Sequence, residues 1–202
     1  MLTSPSRRSA VAILVASALV LGSGIANAAD ADGKFSIRGA GSQSCAAYVA
    51  SIAKPEEFAR NGFWLLGYVT ARNRLEPATY DILPTEQGND FPNVVEVICR
   101  NSPAIALETA ANSAIAVMAP LRQANASAVV QVEADGKTVA IRQDALKLLQ
   151  SALIAKNLYK GDANGASSPQ LVAAIKGFQR KEAIAVTGLP DIDTFIRAVI
   201  KR

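Results

Sequence analysis

The sequence contains no histidine among its 202 residues, and this absence removes several classes of enzyme. Ser-His-Asp and Cys-His mechanisms both need an imidazole as the base. Hydrolytic zinc sites are also usually built from imidazole ligands. We therefore expect no catalytic residue of these kinds, no metal site and no cofactor.

A glycosidase with two catalytic carboxylates is the enzyme class that this composition still permits, because its chemistry needs only a proton donor and a base or nucleophile. The candidate carboxylates all precede residue 100 and are Glu56, Glu57, Asp81, Glu86, Asp90 and Glu96. Their spacing singles out no pair. We therefore interpret them as solvated surface charge and expect a protein that is not an enzyme.

Long apolar runs are scarce, and the clearest one covers residues 10–21. It follows Arg7 and Arg8 and precedes the small-residue motif Ala26-Asn27-Ala28, which is the pattern of a secretory signal peptide cleaved after Ala28. The run is too short for a stable membrane anchor, and no other stretch is long and apolar enough to span a bilayer. We expect residues 1–28 to be removed and the mature chain to be periplasmic, without a membrane span.

Excess charge is also small. The formal net charge is +4, and loss of Arg7 and Arg8 with the signal peptide lowers it to +2. A nucleic-acid binder usually carries a dense basic patch, so we expect no nucleic-acid partner. Residues 29–128 carry a net charge of −2 and residues 129–202 one of +4, and we place a domain boundary near residue 128.

Only two cysteines are present, Cys45 and Cys99. An even number of cysteines in an exported chain favours a disulfide bond. The alternative, a free nucleophilic thiol, would need a base, and the chain has no histidine to supply one.

Residues 29–128 are predicted to form an all-α domain. Ser42 or Ser44 is available to cap a first helix, and an apolar helix with Trp64 and Tyr68 follows. Two more helices lie on either side of residues 101–103. We expect Ser102 to cap the second of these, with Pro103 at its first position.

This arrangement resembles small, disulfide-bonded helical periplasmic proteins of two groups, the acid-stress chaperones and the immunity proteins against type VI secretion toxins. Both groups place one cysteine early in the first helix and the second in a V-x-x-x-C-x-x-x-P helix end, which here is Val95, Cys99 and Pro103. The resemblance implies the helical fold and a disulfide that joins the first and third helices. It implies no activity, and we interpret Trp64 and Tyr68 as core residues.

Residues 129–141 alternate in polarity around Asp135-Gly136, which predicts a β-hairpin or linker. In it, Val130 and Val132 pair with Val139 and Ile141. Three amphipathic helices are predicted within residues 142–202. The first covers about residues 143–157, the second begins at Ser168-Pro169, and Asp191 caps the third. The predicted fold class is therefore mainly α, with a disulfide-stapled helical domain, a short hairpin and a three-helix bundle.

Residues 140–202 resemble the peptidoglycan-binding domain family found beside cell-wall hydrolases. The family pattern is L-Q-x-x-L, a Tyr-Gly turn, D-G, A-V-x-x-F-Q, a T-G turn and a capped third helix. It is matched here by Leu149-Gln150 with Leu153, Tyr159 with Gly161, Asn164-Gly165, Ala174-Ile175 with Phe178-Gln179, and Thr187-Gly188 with Asp191. The sequence departs from the pattern at Ser167, Ser168 and Leu171, where the family has an aromatic residue, a glycine and a threonine.

The resemblance implies peptidoglycan as the partner of the C-terminal domain. A groove with amide side chains, backbone N–H groups and an aromatic wall can bind its hydroxyls, amides and carboxylates. The candidate contacts are Gln150, Tyr159, Asn164, Gly165, Gln179 and Gly188. A structural interpretation stays open, in which Gly161, Gly165 and Gly188 form turns with positive φ and the two glutamines satisfy backbone groups at helix ends.

The sequence thus predicts a non-catalytic, exported envelope protein that binds peptidoglycan and presents its N-terminal domain to an unidentified envelope protein. One alternative is an immunity or inhibitor protein against a cell-wall or envelope toxin. Another is a cell-wall glycoside hydrolase with two carboxylates. An acid-stress chaperone is a weaker alternative, because the chain is longer and has no histidine to sense pH near neutrality.

Overall fold

The computed structural model describes residues 29, 30 and 32–201, so the predicted signal peptide lies outside the described residues. The described residues fall into two units, one before Ile37 and one from Ile37 onward. In the first unit, the carboxylate of Asp30 accepts hydrogen bonds from the backbone N–H groups of Asp32 and Lys34. All described helices and strands lie in the second unit.

The second unit is mainly helical, as predicted. Its first part consists of α1 (Cys45–Ser51), α2 (Pro55–Leu75), α3 (Asp90–Asn101) and α4 (Leu107–Met118), with short 3-10 segments at Gly39–Ser42 and Ala119–Leu121. The hairpin strands β1 (Val129–Ala134) and β2 (Lys137–Arg142) follow. The last part consists of α5 (Gln143–Ala155), α6 (Pro169–Lys181) and α7 (Ile192–Phe195), which a π-helical segment prolongs over Ile196–Ile200.

Three predicted helix starts are confirmed by their capping hydrogen bonds. Ser44 accepts one from the backbone N–H of Ala47 at 3.2 Å. Ser168 and Asp191 each accept one from the residue three positions later, at 3.1 Å and 2.9 Å. Each cap satisfies an N–H group that the first turn of a helix leaves without a partner.

The prediction that Ser102 caps α4 is wrong. Ser102 ends α3, and α4 begins only at Leu107. The connection between them pairs instead with the start of α1, where the N–H of Cys45 donates to the carbonyl of Ile105 at 2.8 Å and that of Ala46 to Pro103 at 2.9 Å. This pairing satisfies N–H groups of the first turn of α1, so a tertiary contact overrides the local Ser-Pro signal.

The predicted disulfide between Cys45 and Cys99 is confirmed and joins α1 to α3. The two Cα atoms are 4.7 Å apart, and both side chains are fully buried. The hydroxyl of the buried Tyr48 donates a hydrogen bond to the carbonyl of Pro92 at 3.1 Å. Covalent and polar links therefore hold α1 against α3 inside the apolar core.

Trp64 packs over the glycines that precede α1. Its indole N–H donates to the carbonyl of Arg38 at 3.0 Å, and a Cβ atom added to Gly41 would lie 2.2 Å from its ring. The ring also stacks on Tyr68, with centroids 5.3 Å apart. The missing side chain at Gly41 is thus what allows the indole to approach the backbone.

The β-hairpin has the predicted register, with Val130 opposite Ile141 and Val132 opposite Val139. Its turn residues, Asp135 and Gly136, have φ values of 52° and 73°, as a two-residue hairpin turn requires.

The hairpin also links the helical first part to the last part of the chain. Thr85 forms a bridge to Ile141, and the Glu86 carboxylate pairs with Arg142 at 2.7 Å. The described residues from Ile37 onward accordingly form one compact unit, and the predicted boundary near residue 128 stays a prediction.

The last three helices form the predicted small bundle. Its fully buried side chains include Leu146, Leu149, Leu171, Phe178 and Phe195. No helix described for this chain has both the length and the apolar character needed to cross a membrane.

Candidate functional site

Gln150, at the buried face of α5, fixes the loop that leads to α6. Its side chain is 0% exposed. The amide oxygen accepts a hydrogen bond from the N–H of Gly165 at 2.7 Å, and the amide nitrogen donates to the carbonyl of Ala166 at 3.0 Å. Gly165 has a φ of 74°, and a Cβ atom there would lie 2.6 Å from the carbonyl oxygen of Gln143. The loop therefore needs both the amide and the glycine.

Gln179 does the same for the loop between α6 and α7. It is also fully buried, and its amide oxygen accepts a hydrogen bond from the N–H of Gly188 at 2.8 Å. Its amide nitrogen donates to the carbonyl of Leu189 at 3.1 Å and lies 2.9 Å from the hydroxyl oxygens of Thr187 and Thr194. Gly188 has a φ of 69°. Each long helix thus carries one glutamine that holds the backbone of the loop after it.

The capping residue Asp191 completes this second network. Its carboxylate accepts hydrogen bonds from the hydroxyl of Thr187 at 2.8 Å and from the hydroxyl of Thr194 at 2.6 Å. The same two hydroxyl oxygens can accept from Gln179, so the loop, the cap and α6 are linked in one polar cluster. Such a fully bonded cluster rigidifies the entry to α7.

Tyr159 and Gly161 form a tight turn after α5. A Cβ atom added to Gly161 would lie 2.3 Å from the hydroxyl oxygen of Tyr159. The expectation of a positive φ is confirmed for Gly165 and Gly188 but is wrong for Gly161. Gly161 is needed because the tyrosine ring lies directly against its backbone.

An open groove of about 320 Å³ lies between the segment 157–160, which follows α5, and residues 170–177 of α6. Tyr159, which is only 7% exposed, is among its lining residues, and Lys160 and Gln170 add a cation and an amide. Ala173 and Gly177 line it on α6, and apart from the adjoining backbone of α6 no atom lies within 4 Å of a Cβ atom added to Gly177. The groove therefore offers hydrogen-bonding groups and a surface of small residues beside a mostly buried tyrosine.

Among the six predicted contact residues, only Tyr159 lines this groove. Asn164 is exposed on the neighbouring loop, where its side-chain oxygen accepts a hydrogen bond from the N–H of Ala166 at 2.8 Å. The other four are buried and hold the loops in place: Gln150, Gly165, Gln179 and Gly188. Binding by these six residues stays a prediction, and the structure gives the buried four a role in positioning the loops.

Gln170 and Gly177 are among the groove residues that sequence reasoning missed. Gln170 carries no local signal, since a polar residue in the first turn of a helix is ordinary. Gly177 did carry one, because a glycine inside a helix costs about 1 kcal/mol relative to alanine. A glycine on the exposed side of α6 could therefore have marked a surface that must stay free of side chains.

Five of the six candidate carboxylates have structural partners, and the sixth, Glu56, is exposed at the start of α2. Asp81 accepts hydrogen bonds from the Asn73 side chain and from the N–H of Leu83, both at 3.0 Å. Glu57, Glu86 and Glu96 form ion pairs with Lys54, Arg142 and Arg100. In the described part of the chain, no three acidic or cysteine side chains converge to hold a metal ion.

Asp90 is the carboxylate with the most unusual surroundings. It is buried at the start of α3 and accepts a hydrogen bond from the hydroxyl of Thr85. Burial raises the pKa of this carboxyl, the Thr85 hydrogen bond opposes the shift, and the charges of Asp191 and Asp193 add to it. Two acidic residues at the start of α7 therefore act on the Asp90 carboxyl.

A second polar cluster connects α2 to α4. The Tyr68 hydroxyl donates to the Glu108 carboxylate at 2.8 Å, and Arg72, which pairs with Glu76, donates to Asn112. Burial and the hydrogen bond to Glu108 raise the pKa of Tyr68, whereas Arg72 lowers it. The cluster ties two helices of the first part together.

Comparison with known families identifies the last part of the chain. Residues 142–197 match the family model described as "Putative peptidoglycan binding domain". The match covers α5, α6, α7 and both loops held by the buried glutamines, so the C-terminal part is a peptidoglycan-binding-like domain, as its motifs predicted. No curated protein and no solved structure matched the chain. The resemblance of the first part to acid-stress chaperones and immunity proteins stays a prediction.

Proposed function

We propose that this is a non-catalytic protein of the cell envelope that attaches to peptidoglycan through residues 142–202. The observation that carries the proposal is the family match over residues 142–197, which supports peptidoglycan binding. The buried disulfide between Cys45 and Cys99 fits an oxidising compartment such as the periplasm. Export by the predicted signal peptide is part of the proposal.

The groove beside Tyr159 is the contact surface that we propose within this domain. The Gln170 amide can exchange hydrogen bonds with sugar hydroxyls or acetamido groups, and the Lys160 ammonium can attract a peptide carboxylate. Ala173 and Gly177 leave room for a sugar ring to lie flat on α6. A volume of about 320 Å³ is at the lower end for small-ligand sites, which suits one sugar unit of a longer chain.

Absence of catalysis is the second part of the proposal. A carboxylate glycosidase needs two acids about 5–5.5 Å or about 6.5–9.5 Å apart across a cleft. The hydrogen bonds and ion pairs of Asp81, Glu86, Asp90 and Glu96 favour structural roles for these acids. Incubation of the protein with purified sacculi should therefore release no soluble fragments, and release of reducing sugars would contradict this part.

Co-sedimentation with purified sacculi tests the wall attachment. We expect the mature, disulfide-bonded chain to pellet, and we expect Lys160→Ala combined with Gln170→Ala to weaken binding about tenfold, or about 1.4 kcal/mol. Lys137→Ala combined with Gln87→Ala is the matched control, because both of these side chains are exposed and neither lines the groove.

The possible outcomes separate the two levels of the proposal. A wild-type chain that stays in the supernatant would contradict peptidoglycan attachment. If the chain pellets equally well with and without the two groove substitutions, the result would support attachment to peptidoglycan. It would contradict only the assignment of the groove as the contact surface.

A surface on α2 favours an additional protein partner, as the sequence predicted. Phe63 is 75% exposed beside an apolar groove of about 440 Å³ lined also by Phe58, Leu66 and Pro92. Exposed apolar patches of this kind are typical of protein contact sites.

Photo-crosslinking from position 63 in the periplasm tests this partner surface. It should give one defined protein adduct, and crosslinking from the exposed position 186 is the control. An envelope-directed toxin as the adduct would favour the immunity alternative, and the absence of any adduct specific to position 63 would contradict a partner at this surface.

A further inference from the structure

A groove of about 630 Å³ lies where α3 and α4 meet the C-terminal helix. Val97 and Val117 form the wall on the side of the first helices, and Ile192 and Ile196 form the opposite wall. Neither part of the chain forms this groove alone. Only one of its walls lies within the residues that match the peptidoglycan-binding family.

The apolar residues that line this groove are all aliphatic. Val97 is 61% exposed and Val117 is 45% exposed, and none of the residues that line the groove is aromatic. An aliphatic surface offers a sugar ring neither a stacking face nor hydrogen bonds. It does stabilise methyl and methylene groups that leave water, by about 25 cal/mol for each Å² buried. This apolar part of the groove is therefore better suited to aliphatic amino acids than to a glycan.

Charges of both signs surround the apolar walls. Glu96 and Asp193 are acidic, and Arg197 and Lys201 are basic. Glu96 is paired with Arg100 at 2.7 Å, and Arg197 lies 4.0 Å from Glu182. Within residues 29, 30 and 32–201, neither Asp193 nor Lys201 takes part in an ion pair. One acid and one base are thus available to a ligand that itself carries both charges.

We propose that this groove binds the stem peptide of peptidoglycan, which combines alanine methyl groups with free carboxylates and an amine. The methyl groups would contact Val97, Val117 and Ile196. A carboxylate would pair with Lys201 and the amine with Asp193, as charge-assisted hydrogen bonds. The volume lies within the range of about 300–1,000 Å³ that is usual for small-ligand sites. This inference rests on the proposed attachment to peptidoglycan and adds a peptide site to the glycan groove on α6.

A titration with the free, sugar-less stem tetrapeptide tests the site. The tetrapeptide is added to the mature chain, whose valine and isoleucine methyl groups are isotope-labelled and observed by NMR. We expect shifts of the Val97, Val117, Ile192 and Ile196 methyl signals. Val97→Asp should weaken peptide binding about tenfold, because it places a charge on the apolar wall. Val186→Asp is the matched control, since Val186 is 45% exposed in a loop and does not line the groove.

A second variant, Lys201→Ala, keeps the test informative if Val97→Asp alters the fold. This substitution should weaken binding of the tetrapeptide. It should not affect binding of glycan chains from which an amidase has removed the peptides. The inference would be overturned if the tetrapeptide shifted only signals outside the groove, or if both variants bound it with unchanged affinity. In either case, sedimentation of the wild-type chain with sacculi would still support the attachment to peptidoglycan. Stripped glycan that competes with the tetrapeptide for the groove would also overturn it. A chain that binds neither sacculi nor tetrapeptide would overturn both proposals.

Discussion

Replacing Gln179 by methionine separates a structural role of this residue from a ligand contact. Methionine has a similar length and volume, so the core around α6 stays filled and the change in packing costs little. What disappears is the amide. Without it, the buried N–H of Gly188 loses its acceptor and the carbonyl of Leu189 loses its donor. The hydroxyls of Thr187 and Thr194 keep their bonds to Asp191.

The expected magnitude follows from those two orphaned backbone groups. A buried donor or acceptor without a partner costs about 1–3 kcal/mol. Two of them should lower the free energy of unfolding by about 3 kcal/mol, a large part of the stability of a domain of this size. Because both groups belong to the loop before α7, we also expect the amide protons of this loop to exchange faster with solvent.

Urea denaturation of the oxidised mature chain measures this change. Gln170→Met on the same helix is the control, because Gln170 is exposed and its substitution should change stability by less than about 0.5 kcal/mol. A loss below about 1 kcal/mol for Gln179→Met would refute the reasoning. Unchanged stability combined with lost binding to sacculi would instead make Gln179 a ligand contact, as the sequence predicted.

Three further predictions concern the stability of the fold. Replacing both Cys45 and Cys99 by alanine should lower the free energy of unfolding in urea by about 4 kcal/mol, because the disulfide closes a loop with a sequence separation of 54 residues; a loss below about 1 kcal/mol would contradict this. Gly165→Ala should lower the thermal midpoint, because the added Cβ atom meets the Gln143 backbone and φ is 74°. Gly177→Ala should instead raise stability by about 0.5–1 kcal/mol, because its Cβ atom enters open space on a helix. Equal effects of the two substitutions would contradict the assigned backbone roles. Asp90→Asn should be more stable than the wild type at neutral pH, because the pKa of Asp90 is raised in the folded state and protonation therefore favours folding. This advantage should shrink as the pH falls from neutrality into the ordinary range of aspartate. A difference in unfolding free energy that does not change with pH would contradict the prediction.

Much of the secondary structure could be predicted because its signals are local. The caps at Ser44, Ser168 and Asp191 each act on an N–H group three residues later, and the hairpin register depends on a two-residue turn. The failure to place the start of α4 at Ser102 occurred where the backbone pairs with the start of α1. A partner so far away in the sequence leaves no trace in the local pattern.

The motifs also identified the peptidoglycan-binding-like domain but not the surface that it presents. The L-Q and F-Q positions stand out in the sequence because the fold needs them. Gln150 and Gln179 are buried because their side chains bond the backbone of the loops. Their partners are Gly165, fifteen residues away, and Gly188, nine residues away. A polar side chain that is diagnostic of a family can thus serve to hold a loop by hydrogen bonds. Only its burial in the structure distinguishes this role from contact with a ligand.

The sequence by itself therefore determined the helical class, the disulfide partners, the hairpin and the family of the last domain. These features depend on neighbouring residues, on a pair of cysteines without competitors and on a motif of fixed spacing. Only the tertiary structure decided which polar groups are exposed and which grooves exist. The groove between Val97 and Ile196 needs one wall from the middle of the chain and one from its last helix, and such a surface arises only when distant helices pack against each other to bury their apolar faces.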